Sequence, residues 1–203
     1  MPPISPMKDG ATGKIVKSAT LTPLRTLELN EVYQLITANK RLITLTQAIR
    51  EAALQGDDNN CRMLKQQTLP YVTPCGVFTR RRSDCLKLPS GLVVGGVLNL
   101  AHLDSPDEAG RLKQLLFKDP YLAPVLVFIS PTGRGVKAFV PCPIGKDSTE
   151  AVRWAMNYVH CMYDAENTQP GKGVDTSGKD LVRACFLCHD PKALLRKVVN
   201  FEL

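Results

Sequence analysis

The period of apolar positions changes along the chain, and the changes predict its elements. Val32, Leu35 and Ile36 recur at helical spacing after Asn30, which predicts a short helix capped by Asn30. Leu42, Leu45, Ile49 and Ala52 form a second, longer stripe that stops at Gly56, so the two helices make an N-terminal helical layer. From Leu69 to Leu88 short apolar runs are broken by Pro70, Pro74, Gly76 and an arginine triplet, with Val77 and Phe78 as strand residues; this predicts a β-hairpin. Leu92 to Leu100 is nearly continuous in apolar residues and of strand length, which predicts a buried central strand.

The stretch Ser105-Pro106-Asp107-Glu108 combines a Ser cap, Pro at the first helical position and Glu three residues after the Ser. The helix it opens carries Leu112, Leu115 and Leu116 on one face and is expected to end at Asp119-Pro120. Val125 to Ile129 predicts a strand, Ser130-Pro131-Thr132-Gly133-Arg134-Gly135 a turn, and Val136 to Val140 the returning strand of a hairpin. Asp147 and Glu150 open a further helix with Val152, Ala155, Met156, Val159 and Met162 at spacings of three and four. A polar Gly-rich loop over 166–178 then leads to a fourth β run, Ala184 to Leu187. The order from Leu92 is β-α-β-β-α-β, an α+β pattern of the ferredoxin-like type shared by RNA-recognition (RRM-like) domains and primase cores.

At 203 residues, 44% of them hydrophobic and 22% charged, the chain suits one full core. The expectation is a flexible tail over 1–20 and a single domain over 21–203, with a helical and hairpin part at 21–89 and an RRM-like core at 90–203. The first residues lack the charged-then-apolar order of a secretory signal, and no apolar run approaches the ~20 residues needed to span a bilayer, so neither export nor a membrane is implied. Seven cysteines at irregular spacing fit reduced thiols in a cytoplasm.

The net charge is +7, with basic residues concentrated in Arg80, Arg81 and Arg82 and in Lys192, Arg196 and Lys197. A nucleic acid or another polyanion would meet such a surface with release of condensed counterions, and a solvated basic surface accounts for the charge equally well. Cys185-Phe186-Leu187-Cys188-His189 matches the C-x-x-C-H spacing of haem attachment, but in a chain without an export signal the reading is buried strand cysteines. Zinc would require a second ligand pair, and none stands at matching spacing. The stretch Arg134 to Val140 only partly fits the third-strand signature of RNA-recognition domains, because Val136 stands where an aromatic belongs. The turn Ser130 to Gly135 offers two glycines for close backbone approach, with Ser130, Arg134 and Lys137 as phosphate-binding groups; an ordinary Gly-rich hairpin fits the same residues.

Leu69-Pro70, Thr73-Pro74-Cys75-Gly76-Val77-Phe78, Ser90-Gly91-Leu92, Leu98 to Leu103, Ser130 to Lys137 and Asp175 through Asp190-Pro191, in that order and spacing, resemble the VirE N-terminal-like domain family. That family is a branch of the archaeo-eukaryotic primase (prim-pol) superfamily found in Bacteroides-type mobile genetic elements, and the resemblance runs from about Leu27 to Leu195. It implies a primase-like nucleotide or phosphate site lined by Ser130, Arg134 and Lys137, with Arg183 and the triplet Arg80, Arg81 and Arg82 as further nucleic-acid contacts. The family's first core strand ends in Asp-x-Asp-x-Leu, two carboxylates that alternation places on one strand face to hold divalent metals. Here Asn99 and Ala101 occupy those positions, and Asp175, with Lys137, is the remnant of the catalytic set.

The expectation is therefore a pseudoenzyme: a degenerate, cytoplasmic DNA-binding domain that takes single-stranded DNA or a nucleotide in mobile-element DNA replication, beside a replicative helicase or another replication protein. No cofactor is expected. The alternatives are an active primase or polymerase using Asp175 and Asp104 as substitute acids with Mg²⁺ or Mn²⁺, and a protein-interaction module with a vestigial cleft.

Overall fold

The computed structural model describes residues 5–7, 22–92, 98–101, 105–143, 145, 148–163, 173–174 and 181–196. Three helices come first: α1 (Leu29–Ala38), α2 (Lys40–Leu54) and α3 (Asp58–Thr68). The first starts earlier than Asn30 suggests, because the backbone N–H of Glu28 donates to the Glu31 carboxylate at 2.8 Å and fixes the turn there. Asn39, between α1 and α2, caps the second helix by accepting from Leu42 N–H at 3.1 Å. The third helix is absent from the sequence reading. Asp57 caps it through Asn60 N–H at 3.0 Å, and Cys61 is its one fully buried residue.

Among the described residues ten short strands form three sheets. Strands β1 (Ser5–Met7), β2 (Tyr71–Thr73) and β9 (Cys185–Phe186) make an antiparallel three-stranded sheet in the order β1-β2-β9. Residues 5–7 of the stretch expected as a tail are thus a strand. The predicted hairpin exists as β3 (Gly76–Phe78) paired with β4 (Leu86–Pro89). Gly76 is required there, since a Cβ at this position would lie 2.3 Å from the Leu88 carbonyl oxygen.

The main sheet has five strands in the order β10-β6-β7-β5-β8, with β5 (Leu98–Ala101), β6 (Leu126–Ile129), β7 (Val136–Phe139), β8 (Gly173–Val174) and β10 (Leu194–Leu195). Strand β7 lies between β5 and β6 and is antiparallel to both, so these two run parallel and α4 (Pro106–Lys118) is the crossover between them. Ser105 caps that helix by accepting from Glu108 N–H at 3.1 Å, and α5 (Ser148–Tyr163) follows β7.

Of the run Leu92 to Leu100, Leu98–Ala101 is a strand inside the main sheet and Leu92 forms an isolated bridge with Pro141, while residues 93–97 lie outside the described residues. One expectation is corrected: the run at Ala184 to Leu187 does not join the main sheet. It becomes β9, whose Phe186 and Cys185 pair with Tyr71 and Val72, and the strand beside β5 is β8, inside the stretch expected as a loop.

Alternation along β6 and β7 divides the interior in two. Leu126, Phe128 and Phe139 face a core shared with Val32 and Ile36 of α1, Ile49 of α2 and Leu187. Val127, Val136 and Ala138 face the other core, with Leu112 and Leu116 of α4 and Ala155 and Val159 of α5. Burial of each large aliphatic side chain contributes about 1.5–3 kcal/mol, so both layers are held mainly by apolar contact with one sheet. No helix among the described residues is long and apolar enough to cross a membrane.

Candidate phosphate and nucleic-acid site

The β6–β7 turn is a tight loop closed by its own backbone. Ser130 N–H donates to Gly135 O at 2.8 Å, and Gly133 N–H donates to Ser130 O at 3.0 Å. Gly133 has φ of +79°, a left-handed conformation that glycine adopts without strain. Ser130 is buried and its hydroxyl lies 3.3 Å from that of Thr132, whereas Arg134 projects to solvent.

Lys137 follows in β7, opposite Phe128 of β6 and Asn99 of β5. It is only 8% exposed. Its ammonium donates to Phe186 O at 3.3 Å and approaches Cys185 Sγ at 3.7 Å, so β9 forms one wall around it. Asn99 and Ala101 stand two residues apart in β5, and Asn99 is the register partner of Lys137. An amide and a methyl group supply none of the negative charge a divalent cation's oxygen shell requires, so these positions do not fit the paired-metal site of an active polymerase. Among the described residues no group of three or more His, Cys, Asp or Glu is placed to hold a metal. Asp175, which follows β8 in the chain, and Asp104 lie outside the described residues.

Arg80 is exposed, Arg82 pairs with Asp84 at 2.6 Å, and Arg81 donates to Val182 O at 3.0 Å while lying over the Tyr71 ring. Arg81 therefore fastens the hairpin to the segment before β9. Arg183 is half-buried in that same segment.

The Cys-x-x-Cys-His stretch is structural. Cys185 and Cys188 are buried, and Cys188 Sγ donates to Ile129 O at 3.1 Å. Burial pushes the Cys188 thiol up to about 12 and raises that of Cys185. The His189 ring sits 3.0 Å from Ile36 O through Nδ1, and its backbone N–H donates to the Thr46 hydroxyl at 2.8 Å.

Two cations escaped the sequence reading. Arg50 of α2 donates from Nη2 to His189 O at 3.2 Å and lies along the turn, its Nε 3.6 Å from where a Cβ on Gly133 would stand. Lys65 of α3 is half-buried; burial first, and then the charge of Lys137, hold its ammonium below the usual lysine range. Neither belongs to a local motif, and the packing of the helical layer on the sheet brings Arg50 onto the turn.

Residues 63–195 match the family model described as BT4734-like, N-terminal domain. Neither the curated proteins nor the solved structures yield a match. The matched stretch contains β2 through β10, including the Gly-rich turn, and leaves α1 and α2 outside it. On this match over most of its length, the chain belongs to the BT4734-like N-terminal domain family.

Proposed function

We propose that this domain binds single-stranded DNA or a nucleotide through the Ser130–Gly135 turn and Lys137, as a primase-polymerase-like module that has lost its first metal-binding motif. The observation that carries the reading is the pairing of Lys137 with Asn99 directly after the turn: a buried ammonium stands across from the position where a catalytic carboxylate would be needed. The strand order β6-β7-β5-β8, with a helix after β5 and another after β7, supports a ferredoxin-like, RRM-like core. The net charge of +7 supports a polyanionic partner. The setting we infer is cytoplasmic replication of a mobile element, in company with a helicase or other replication protein, on the strength of the resemblance to VirE N-terminal-like domains.

The test is fluorescence anisotropy with a labelled single strand across a salt series. Arg134 is exposed, so Arg134→Glu leaves the fold intact, and it is expected to weaken binding and lower the salt slope by about 0.7 for the lost phosphate contact. Lys137→Met, which keeps the stem and removes the charge, is expected to weaken binding further. Affinity unchanged in both variants excludes the turn as the binding surface, and binding strengthened by Mn²⁺ in the unaltered protein restores the enzyme reading.

A further inference from the structure

Three aromatic side chains gather on the outer side of the second core. Trp154 and Tyr158 stand one turn apart on α5, and their rings stack with centroids 6.0 Å apart and 29° between planes. Tyr121, in the connection from α4 to β6, has its ring 5.9 Å from that of Tyr158 at 50°. Trp154 and Tyr158 are half-buried against the core, whereas Tyr121 is 73% exposed. The main sheet lies between this group and Lys137, whose neighbour Cys185 belongs to the first core.

The group is held from beneath by one carboxylate. Asp119 accepts from the Tyr158 hydroxyl at 2.9 Å and from the backbone N–H of Tyr121 at 2.9 Å and Leu122 at 2.8 Å. Ala123 N–H closes the loop on Asp119 O at 3.0 Å, and Ala123 has φ of +41°, a left-handed conformation that L residues rarely adopt. Asp119 thus fixes both the ring on the helix and the backbone that presents Tyr121. A tyrosine left in water on a strained loop returns little to the fold, because it buries little area, so its position points to a ligand.

The surroundings say which ligand. Lys118, three residues before Tyr121, and Arg153, next to Trp154, are exposed cations. Asp119 is buried with its oxygens occupied, and the exposed acids Asp107 and Glu150 stand in the first turns of α4 and α5. Fixed aromatic faces flanked by cations match a single strand, whose bases stack while its phosphates meet the positive charges. We propose that Tyr121, Tyr158 and Trp154 form a stacking platform for the bases of single-stranded nucleic acid. The inference rests on the single-strand reading above and adds a second surface to it: the turn meets phosphates, and the platform meets bases.

Trp154 is the one tryptophan of the chain, so its fluorescence reports on the platform directly. The full chain is titrated with a labelled oligothymidylate and with an abasic strand of equal phosphate count, following tryptophan emission and label anisotropy together. Oligothymidylate is expected to quench Trp154, and the abasic strand is expected to bind without quenching. Tyr121→Ala is expected to weaken oligothymidylate about fivefold or more, with the melting temperature and the abasic affinity unchanged, and Tyr121→Phe to restore the affinity. Arg134→Glu is expected to weaken both strands alike and to leave the quenching at saturation in place.

Strand binding with Trp154 emission unchanged at saturation overturns the proposal in favour of a protein contact, and so does a Tyr121→Ala affinity within about twofold of the unaltered protein. Either result leaves the turn reading standing. Quenching that Tyr121→Ala weakens, with affinity unchanged in Arg134→Glu and Lys137→Met, overturns the turn alone and upholds the platform. Failure of both strands to bind overturns the two together.

Discussion

Asp190 and Lys113 form a salt bridge at 2.9 Å with their side chains only 6% and 5% exposed. The carboxylate also accepts from Ile129 N–H at 2.8 Å and Lys192 N–H at 3.0 Å, and the ammonium donates to Lys192 O at 2.7 Å. The pair therefore joins α4, β6 and the segment before β10 through groups that are all occupied. Breaking it from one side strands a buried charge, so Asp190→Ala is expected to cost about 3–5 kcal/mol in urea unfolding, with Lys113→Met/Asp190→Leu recovering part of the loss. A single-variant loss under about 1 kcal/mol would show that the pair is solvated. The resemblance to a known family marked Asp190-Pro191 as a shared pattern, and at this scale its role is a joint. Arg50 shows the converse: nothing around it in the sequence marks it, because its partners Gly133 and His189 are supplied by remote strands and loops.

Where α4 ends, Asp119 is buried and accepts from Tyr121 N–H at 2.9 Å and Leu122 N–H at 2.8 Å. The hydroxyls of Tyr158, at 2.9 Å, and Tyr163 also reach its carboxylate from α5, so one side chain both stops a helix and ties two helices together. Burial raises its pKa, but the hydrogen bonds from Tyr163, Leu122, Tyr158 and Tyr121 outweigh burial and hold it below the usual value of 3.8. A carboxylate lowered in the folded state stabilises above its unfolded pKa, and that contribution is lost as pH falls through the folded pKa. Asp119→Asn is thus expected to lower stability at neutral pH and to flatten the loss of stability below about pH 4; an acid limb identical to that of the unaltered protein would refute the clamp.

The elements themselves were legible where local chemistry decides them. Ser105 and Pro106 set the start of α4, and the glycines of the turn set the β6–β7 hairpin. Helix α3 was not legible, because its face on the core is made by Cys61 and the partly buried Leu64, too few positions to form a stripe. Strands β8 and β9 were misread for a shared reason: each is two residues long, and its sheet is chosen by a partner distant in sequence.

At the scale of the molecule, two cores share the five-stranded sheet, and the helical layer covers one face of it. The family-matched stretch 63–195 lacks α1 and α2, and with them Val32, Ile36, Leu42 and Ile49 from the first core. A fragment of residues 63–195 is therefore expected to bind a hydrophobic dye and to melt without cooperativity; a sharp thermal transition in that fragment would show that the helical layer is dispensable. How much of the site is legible follows the same division. Residues within the turn read directly from sequence, whereas the helical contribution depends on how that layer seats.

The short stretch from β9 to β10 has a further consequence. Cys185 and Phe186 pair with β2, His189 binds α1 and α2, and Leu194 and Leu195 pair with β6, so one late segment stitches the three-stranded and five-stranded sheets to the earliest helices. During synthesis the ribosome delivers β2, β6 and the first two helices earlier, and these wait with an open edge or a bare apolar face until residue 195 has emerged. For the nascent chain, that delay is an interval in which apolar surface meant for the first core stands open to water.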